Sequence, residues 1–199
     1  MNIDSRFDKG DVNKIVEILR RISPKRGGKA FVNGLTLATL EVEAGLRIAT
    51  TTGSPLKSRT GRLSNSIGSR VQTTSVGVQA IIGSGVGRGE RVPYAGIHET
   101  GGTIRPKNSK YLTIPLKAAK TAGGAPRGKA RDFSNTFVLK AKSGQLLIVQ
   151  KTGKDSLTPL FVLKKSVKVP ASRYMSKTLA AKRVRIVDII CKTMEKEIK

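Results

Sequence analysis

Apolar residues near the start of the chain recur in steps of three and four. Val12, Ile15, Val16, Leu19 and Ile22 therefore share one side of a helix predicted over 11–22. Ser23-Pro24 stops it, because the residue before a proline is pushed out of the helical region. A second helix is predicted over 29–50, with Phe31, Leu35, Ala38, Val42 and Ala49 on one face. Its Gly34 and Gly45 either weaken it or mark a place where another element packs closely. The stretch "TTTGSPLKSRTGRLSNSI" follows as a polar, basic connector, and Thr60 is expected to cap a short turn from Leu63 to Ile67.

From residue 68 the period changes to two. "RVQTTSVGVQAIIGSG" reads as a hairpin turning near Thr74-Ser75, and "KYLTIPL", "NTFVLKAK", "QLLIVQKT" and "PLFVLKKSVKV" as further strands. Ser143-Gly144 makes a tight turn between two of them. Residues 117–134, "KAAKTAGGAPRGKARDFS", carry little to bury and read as a long exposed basic loop or hairpin tip. A long helix over 173–198 closes the chain, with Ala180, Val184, Val187, Cys191, Met194 and Ile198 as its apolar seam. The predicted class is α+β: an antiparallel sheet flanked by N-terminal helices and a long C-terminal helix. A single domain over 1–199 is expected, with helices in 1–52, a basic connector at 53–67, the sheet in 68–170 and the last helix in 171–199.

Charge changes this picture most. The chain has 199 residues with 38 Lys and Arg against 13 Asp and Glu, a net charge of +25. Residues 100–187 hold 20 of those cations and only Asp132 and Asp155 in opposition, so that span alone carries +18. Such self-repulsion destabilises a compact monomer unless the charges meet anions, which points to a polyanionic neighbour such as DNA. Aromatics make up 4% of the chain, too few and too scattered for a base-stacking platform, and no helix-turn-helix or zinc-finger spacing is present. Any contact would be with backbone phosphate, salt-sensitive and blind to sequence. One cysteine, Cys191, excludes an internal disulfide framework and a cysteine-rich zinc site, and its place on the seam implies a buried thiol. No apolar signal core or run of 18 apolar residues is present, so a soluble protein of a reducing compartment, without membrane contact, is expected.

Candidate chemistry is thin. "GSGVGRG" (83–89) fails the dinucleotide spacing: the third glycine would fall at Arg88 or Glu90. "GGAPRGKA" (123–130) approaches a phosphate-binding loop, but Ala130 stands where a magnesium-binding hydroxyl is needed, and no strand precedes it. His98, the only histidine, precedes Glu99, yet a zinc protease needs a second histidine at 102, which is glycine. A metal nuclease needs converging carboxylates in a region that nearly lacks them. No Gly-x-Ser-x-Gly elbow accompanies His98. The expectation is therefore no catalytic residues, no metal and no cofactor.

Three segments occur in order: "SRTGRLSNSI" (58–67), "PYAGIHETGGTIRPKNSKYLTIPL" (93–116) and "LFVLKKSVKVPASRYM" (160–175). Together they resemble the neck and tail-completion proteins of tailed bacteriophages, the virion morphogenesis family and the related minor tail protein Z group, over most of 30–180. The matching positions are Thr60, Gly61, Arg62 and Leu63; Tyr94, His98, Glu99, Gly101 and Gly102; and Pro170 with Arg173. The family runs Pro-Ala-Arg without a break, whereas here Ser172 intervenes, and the 117–134 loop is longer and more basic. The resemblance implies a non-enzymatic virion protein at the head-proximal end of the tail, assembled in the bacterial cytoplasm. Its implied partners are copies of itself in a hexameric ring, tail-tube, tail-terminator or head-connector proteins, and double-stranded DNA in the channel. Arg105, Lys107, Lys110, Lys120, Arg127, Lys129 and Arg131 are the candidates to face phosphate. The alternatives are a stand-alone, sequence-nonspecific DNA- or RNA-binding protein and, third, an enzyme using His98.

"VPYAGIHETGG" (92–102) is expected to be architecture. Pro93 starts a helical turn, Tyr94 and Ile97 bury on one side, and Gly101-Gly102 end it. His98 and Glu99 are left on the other side, as a cap or interface contact between the hairpin and the strand at 110–116.

Overall fold

The computed structural model describes residues 9–21, 24–52, 55–75, 77–87, 89–154 and 156–197, apart from the side chains of 19–27. Ile22, Ser23, Ile198 and the side chain of Leu19 thus lie outside what is described. The chain is α+β and forms two compact units, Met1–Thr100 with Ala171–Lys199, and Gly101–Pro170. The single domain expected over 1–199 thus consists of a helical unit interrupted by a β-rich one.

In the helical unit, α1 (Lys9–Arg21), α2 (Pro24–Ala49) and α5 (Tyr174–Lys196) bury a common core. Pro24 opens α2, a first-turn position where its missing N–H costs nothing. Ala30, Ala38, Val42 and Leu46 of α2 meet Ile186, Ile190 and Met194 of α5, with Tyr174 and Ile67 in the same cluster. The small residues let the helices approach: a Cβ on Gly34 would lie 3.0 Å from the Cα of Ile190, and one on Gly45 3.1 Å from Thr178 Cγ2. Of the two readings of these glycines, close packing is the one observed.

Two helical stripes are rotated from their predicted positions. On α1 the inward residues are Ile15 and Ile18, beside Asp11, which accepts hydrogen bonds from Arg183 (3.0 and 3.2 Å); Val12 and Val16 face outward. On α5, Val187 and Met194 are buried as expected and Cys191 is half-buried, but Ala180 is exposed and Val184 is 80% exposed. Tyr174, Ile186 and Ile190 take their place. The reason is geometric: the seam is set by where α2 lies along Gly34 and Gly45, not by the widest spacing of apolar residues on α5.

The strands β1 (Ile67–Thr74) and β2 (Gly77–Ser84) pair in full antiparallel register, Ile67 opposite Ser84 and Thr74 opposite Gly77. The hairpin is its own two-stranded sheet in the helical unit, where the single sheet predicted over 68–170 had included it. A carboxylate links it to α2. Glu43, 5% exposed, accepts from Ser69 Oγ (2.6 Å) and Arg47 Nε (3.2 Å), while Arg47 Nη2 donates to the Ile67 carbonyl (2.6 Å).

The connector forms α3 (Arg62–Ser66), capped by Gly61 in left-handed backbone (φ 69°) and not by Thr60. The hydroxyl in use is that of Ser58, which accepts the Gly61 N–H (2.9 Å). The glycine loop after β2 is packed rather than loose: a Cβ on Gly87 would lie 2.6 Å from the Ser69 carbonyl oxygen.

In the β-rich unit, β4 (Leu112–Pro115), β7 (Leu157–Lys164), β6 (Leu146–Lys151) and β5 (Thr136–Lys140) form a four-stranded antiparallel sheet in that spatial order. The predicted strand at 159–169 breaks near Lys165-Ser166; its end, β8 (Val167–Val169), pairs instead with β3 (Gly102–Ile104). A bulge opposite Ile148–Val149 leaves Leu160 out of the register, next to Pro159, which has no N–H for the ladder. It allows the consecutive residues Leu160 and Phe161 both to be buried, each 2% exposed.

The loop 117–134 differs from its expectation too. Short 3-10 turns at Lys117–Ala119 and Ala130–Asp132 anchor both ends. Ala119, fully buried, and Phe133, edge-on to Phe161 at 5.5 Å, reach the core. Backbone bonds from Arg127 to Ala119 (2.9 Å) and from Thr121 to Ala125 (2.8 Å) close a tongue between the anchors.

Candidate functional site

Val92 is buried, and its N–H donates to Ser84 Oγ (2.8 Å), tying the segment to the end of the hairpin. The next residues turn into α4 (Ala95–Thr100). Tyr94 is 37% exposed, not buried as predicted, and its ring meets that of His98 edge-on at 5.8 Å. Partial burial lowers the pKa of His98. Burial therefore favours the neutral imidazole, and the ring contact it makes is with Tyr94.

Glu99 points inward, which corrects the expectation that it lay on the outer side. It is 3% exposed. Its carboxylate accepts from the Met175 N–H (2.8 Å), the Ser176 N–H (3.1 Å) and Ser176 Oγ (2.5 Å). These amides open α5, so Glu99 caps that helix from elsewhere in the chain and places negative charge at the positive end of its dipole. The expected cap or interface contact is therefore a cap, and its partner is the start of α5 rather than the strand at 110–116.

Ser172 completes the joint. Its N–H (2.8 Å) and Oγ (2.6 Å) both donate to the His98 carbonyl. Arg173 follows in left-handed backbone (φ 54°), a conformation costing a side-chain-bearing residue about 1–2 kcal/mol. The Ser172 and Glu99 hydrogen bonds hold it there. The residue that interrupts Pro-Ala-Arg thus has a structural task. Tyr174, 1% exposed, lies just beyond; its hydroxyl has no hydrogen-bond partner among the described residues. Burial, with the charge of Glu99 adding to it, pushes its pKa up to about 12.

The other motif positions are dispersed. Thr60 and Arg62 are exposed, Leu63 is half-buried, and Arg62 stands 3.9 Å from Glu90 at the surface. In the β-rich unit Gly102 lies opposite Val169, and Pro170 follows exposed. His98 and Glu99 therefore do not assemble as an acid–base pair, and among the described residues no cluster of three or more His, Cys, Asp or Glu is placed to hold a metal.

All seven candidate phosphate-facing cations fall in the β-rich unit. Arg105, Lys107 and Lys110 follow β3, and Lys110 sits 5.9 Å from the centre of the Tyr111 ring. Lys120 and Arg127 are brought together on the tongue, where Lys120 bridges to Pro126. Lys129 and Arg131 sit at its second anchor, where Asp132 accepts the Lys129 N–H (2.7 Å). Lys120 is half-buried and the other six are exposed. None forms an ion pair among the described residues.

The sequence reading missed the Glu43–Arg47–Ser69 link and the Ser172 clamp. A Glu-x-x-x-Arg pair beside the core-facing Val42 and Leu46 was the available signal for the first; nothing local marks the second. Compared with known proteins, the chain matches no family model, no curated protein and no solved structure. What is established is the class: an α+β protein whose single histidine and its neighbouring glutamate serve a helix joint.

Proposed function

We propose that the chain is a structural virion protein of the phage head–tail neck or tail end, assembling as a hexameric ring around the DNA channel. The ordered motif set at 58–67, 93–116 and 160–175 supports this reading. The observation that carries it is that the second and third motifs, far apart in sequence, meet through His98, Glu99, Ser172 and Met175, with Ser176 just beyond the third. Two of the matched residues, His98 and Glu99, thus belong to a joint that holds the start of α5.

Surface chemistry agrees with a subunit that neighbours cover. Leu37, Leu40, Ala44 and Ile48 form an exposed apolar stripe on α2, and edge strand β5 exposes Phe137, Val138 and Leu139. Apolar surface on this scale marks interaction sites, and ring subunits bury it against copies of themselves. The test is the content of mature particles of the phage that encodes the chain. The reading requires a fixed copy number in every particle.

A second reading, a stand-alone nucleic-acid-binding protein, draws on the unpaired cations of the β-rich unit. It requires absence from mature particles together with tight duplex binding by the monomer.

A further inference from the structure

One end of the four-stranded sheet carries a basic concavity that none of the seven cations above lines. Its volume is about 780 Å³, and it is open to solvent. Lys140, Lys164 and Lys165 line it with Ser143, Ser166 and Tyr111. The register sets them at the same end of the sheet, from alternate faces: Lys140 stands opposite Leu146 and Leu146 opposite Leu163, while Lys164, one residue on, stands opposite Leu112.

The surrounding backbone is held in place. Gln145 Nε2 donates to the Leu163 carbonyl (2.7 Å), fastening the β5–β6 turn to β7. Backbone bonds from the Ala141 N–H to the Gln145 carbonyl (2.9 Å) and from the Gly144 N–H to the Ala141 carbonyl (2.8 Å) close that turn.

Among the described residues no carboxylate answers the charge. The three lysines form no ion pair among the described residues, and Ser143 and Ser166 make no side-chain hydrogen bond there. The only acids in the whole unit are Asp132 and Asp155, and Asp132 is engaged with the Lys129 N–H. The lining has no arginine, the residue suited to bidentate carboxylate recognition, and one aromatic, too few to stack successive bases. Lysine ammonium groups and free hydroxyls on a solvent-open groove suit phosphate oxygens as point charges and donors.

We propose that this groove seats the phosphodiester backbone of duplex DNA through Lys140, Lys164 and Lys165 without reading sequence. The proposal rests on the DNA-contacting part of the function proposed above and names the surface that makes the contact.

The test is fluorescence anisotropy of a labelled mixed-sequence duplex of about 30 base pairs, titrated with the full chain across a salt series. Each phosphate contact contributes about 0.9 to the slope of log affinity against log salt, so K140Q/K164Q/K165Q should lower the slope by about 2 to 3. R105Q/K107Q/R127Q removes equal charge elsewhere on the unit and should lower it less. A groove variant with the wild-type slope, one that loses no more than the comparison variant, or a wild-type chain that does not bind the duplex overturns the proposal. So does a groove variant that keeps duplex binding but loses binding to poly-glutamate, which would make the groove an acidic-protein site. Particle content is independent of this readout. Absence from particles with a selective loss of slope sinks the virion role and leaves the groove standing; presence with no selective loss does the reverse.

Discussion

Glu99 accepts two helix amides and one hydroxyl while nearly excluded from solvent. Removing it leaves those donors buried and unpaired, so E99A should destabilise the helical unit by about 2–4 kcal/mol. E99Q, which keeps one acceptor oxygen, should lose less; thermal unfolding followed by circular dichroism measures both. Tyr174 presents the opposite case, a buried hydroxyl without a partner among the described residues. Tyr174→Phe should therefore raise the unfolding midpoint by a few degrees. Alkaline titration gives a second signature. The folded state holds this proton up to about 12, whereas the unfolded chain releases it near the ordinary value of 10.0. The stability linked to the group is thus complete below pH 10 and is lost as pH rises towards 12. Wild type should lose stability more steeply than Tyr174→Phe across that window. That Glu99 was a capping type of residue was legible in the sequence; its partners, 76 and 77 positions away, were not. Local pattern carries no information about which helix end a carboxylate will meet.

At the scale of elements, α2 and α5 show what periodicity leaves open. Their existence and approximate lengths were legible because long apolar patterns of period 3.6 have few alternatives. The buried side of α5 was not, because it depends on where α2 permits close approach. Gly34→Ala measures that dependence: its Cβ would meet backbone of Ile190, which cannot yield without moving the helix. A loss of about 1–3 kcal/mol is expected in thermal unfolding. Gly45→Ala should cost less, because its neighbours are the Thr178 and Lys182 side chains and alanine gains about 1 kcal/mol of helix propensity over glycine. Equal losses at the two sites would contradict this account of the packing. The tongue at 117–134 shows the complementary failure: two isolated anchors, Ala119 and Phe133, order a segment whose composition reads as loop.

For the whole molecule, class and charge distribution were legible and the division into two units was not, since the period-two region gives no sign that its first hairpin belongs with the helices. The β-rich unit has a small core around Ala119, Leu160 and Phe161, exposes β5, and holds a large share of the positive charge. A unit of that size with so little buried gains most from surfaces supplied by assembly. The seven cations first singled out and the groove lysines share this unit, so sequence located the basic region without resolving which part of it is concave. The measurement that bears most directly on the proposed virion role is quantitative mass spectrometry of purified mature particles of the phage which that role implies, with copies of the chain counted against the major capsid protein. The account predicts a constant count matching one hexameric ring per particle; absence of the chain from mature, infectious particles would contradict it.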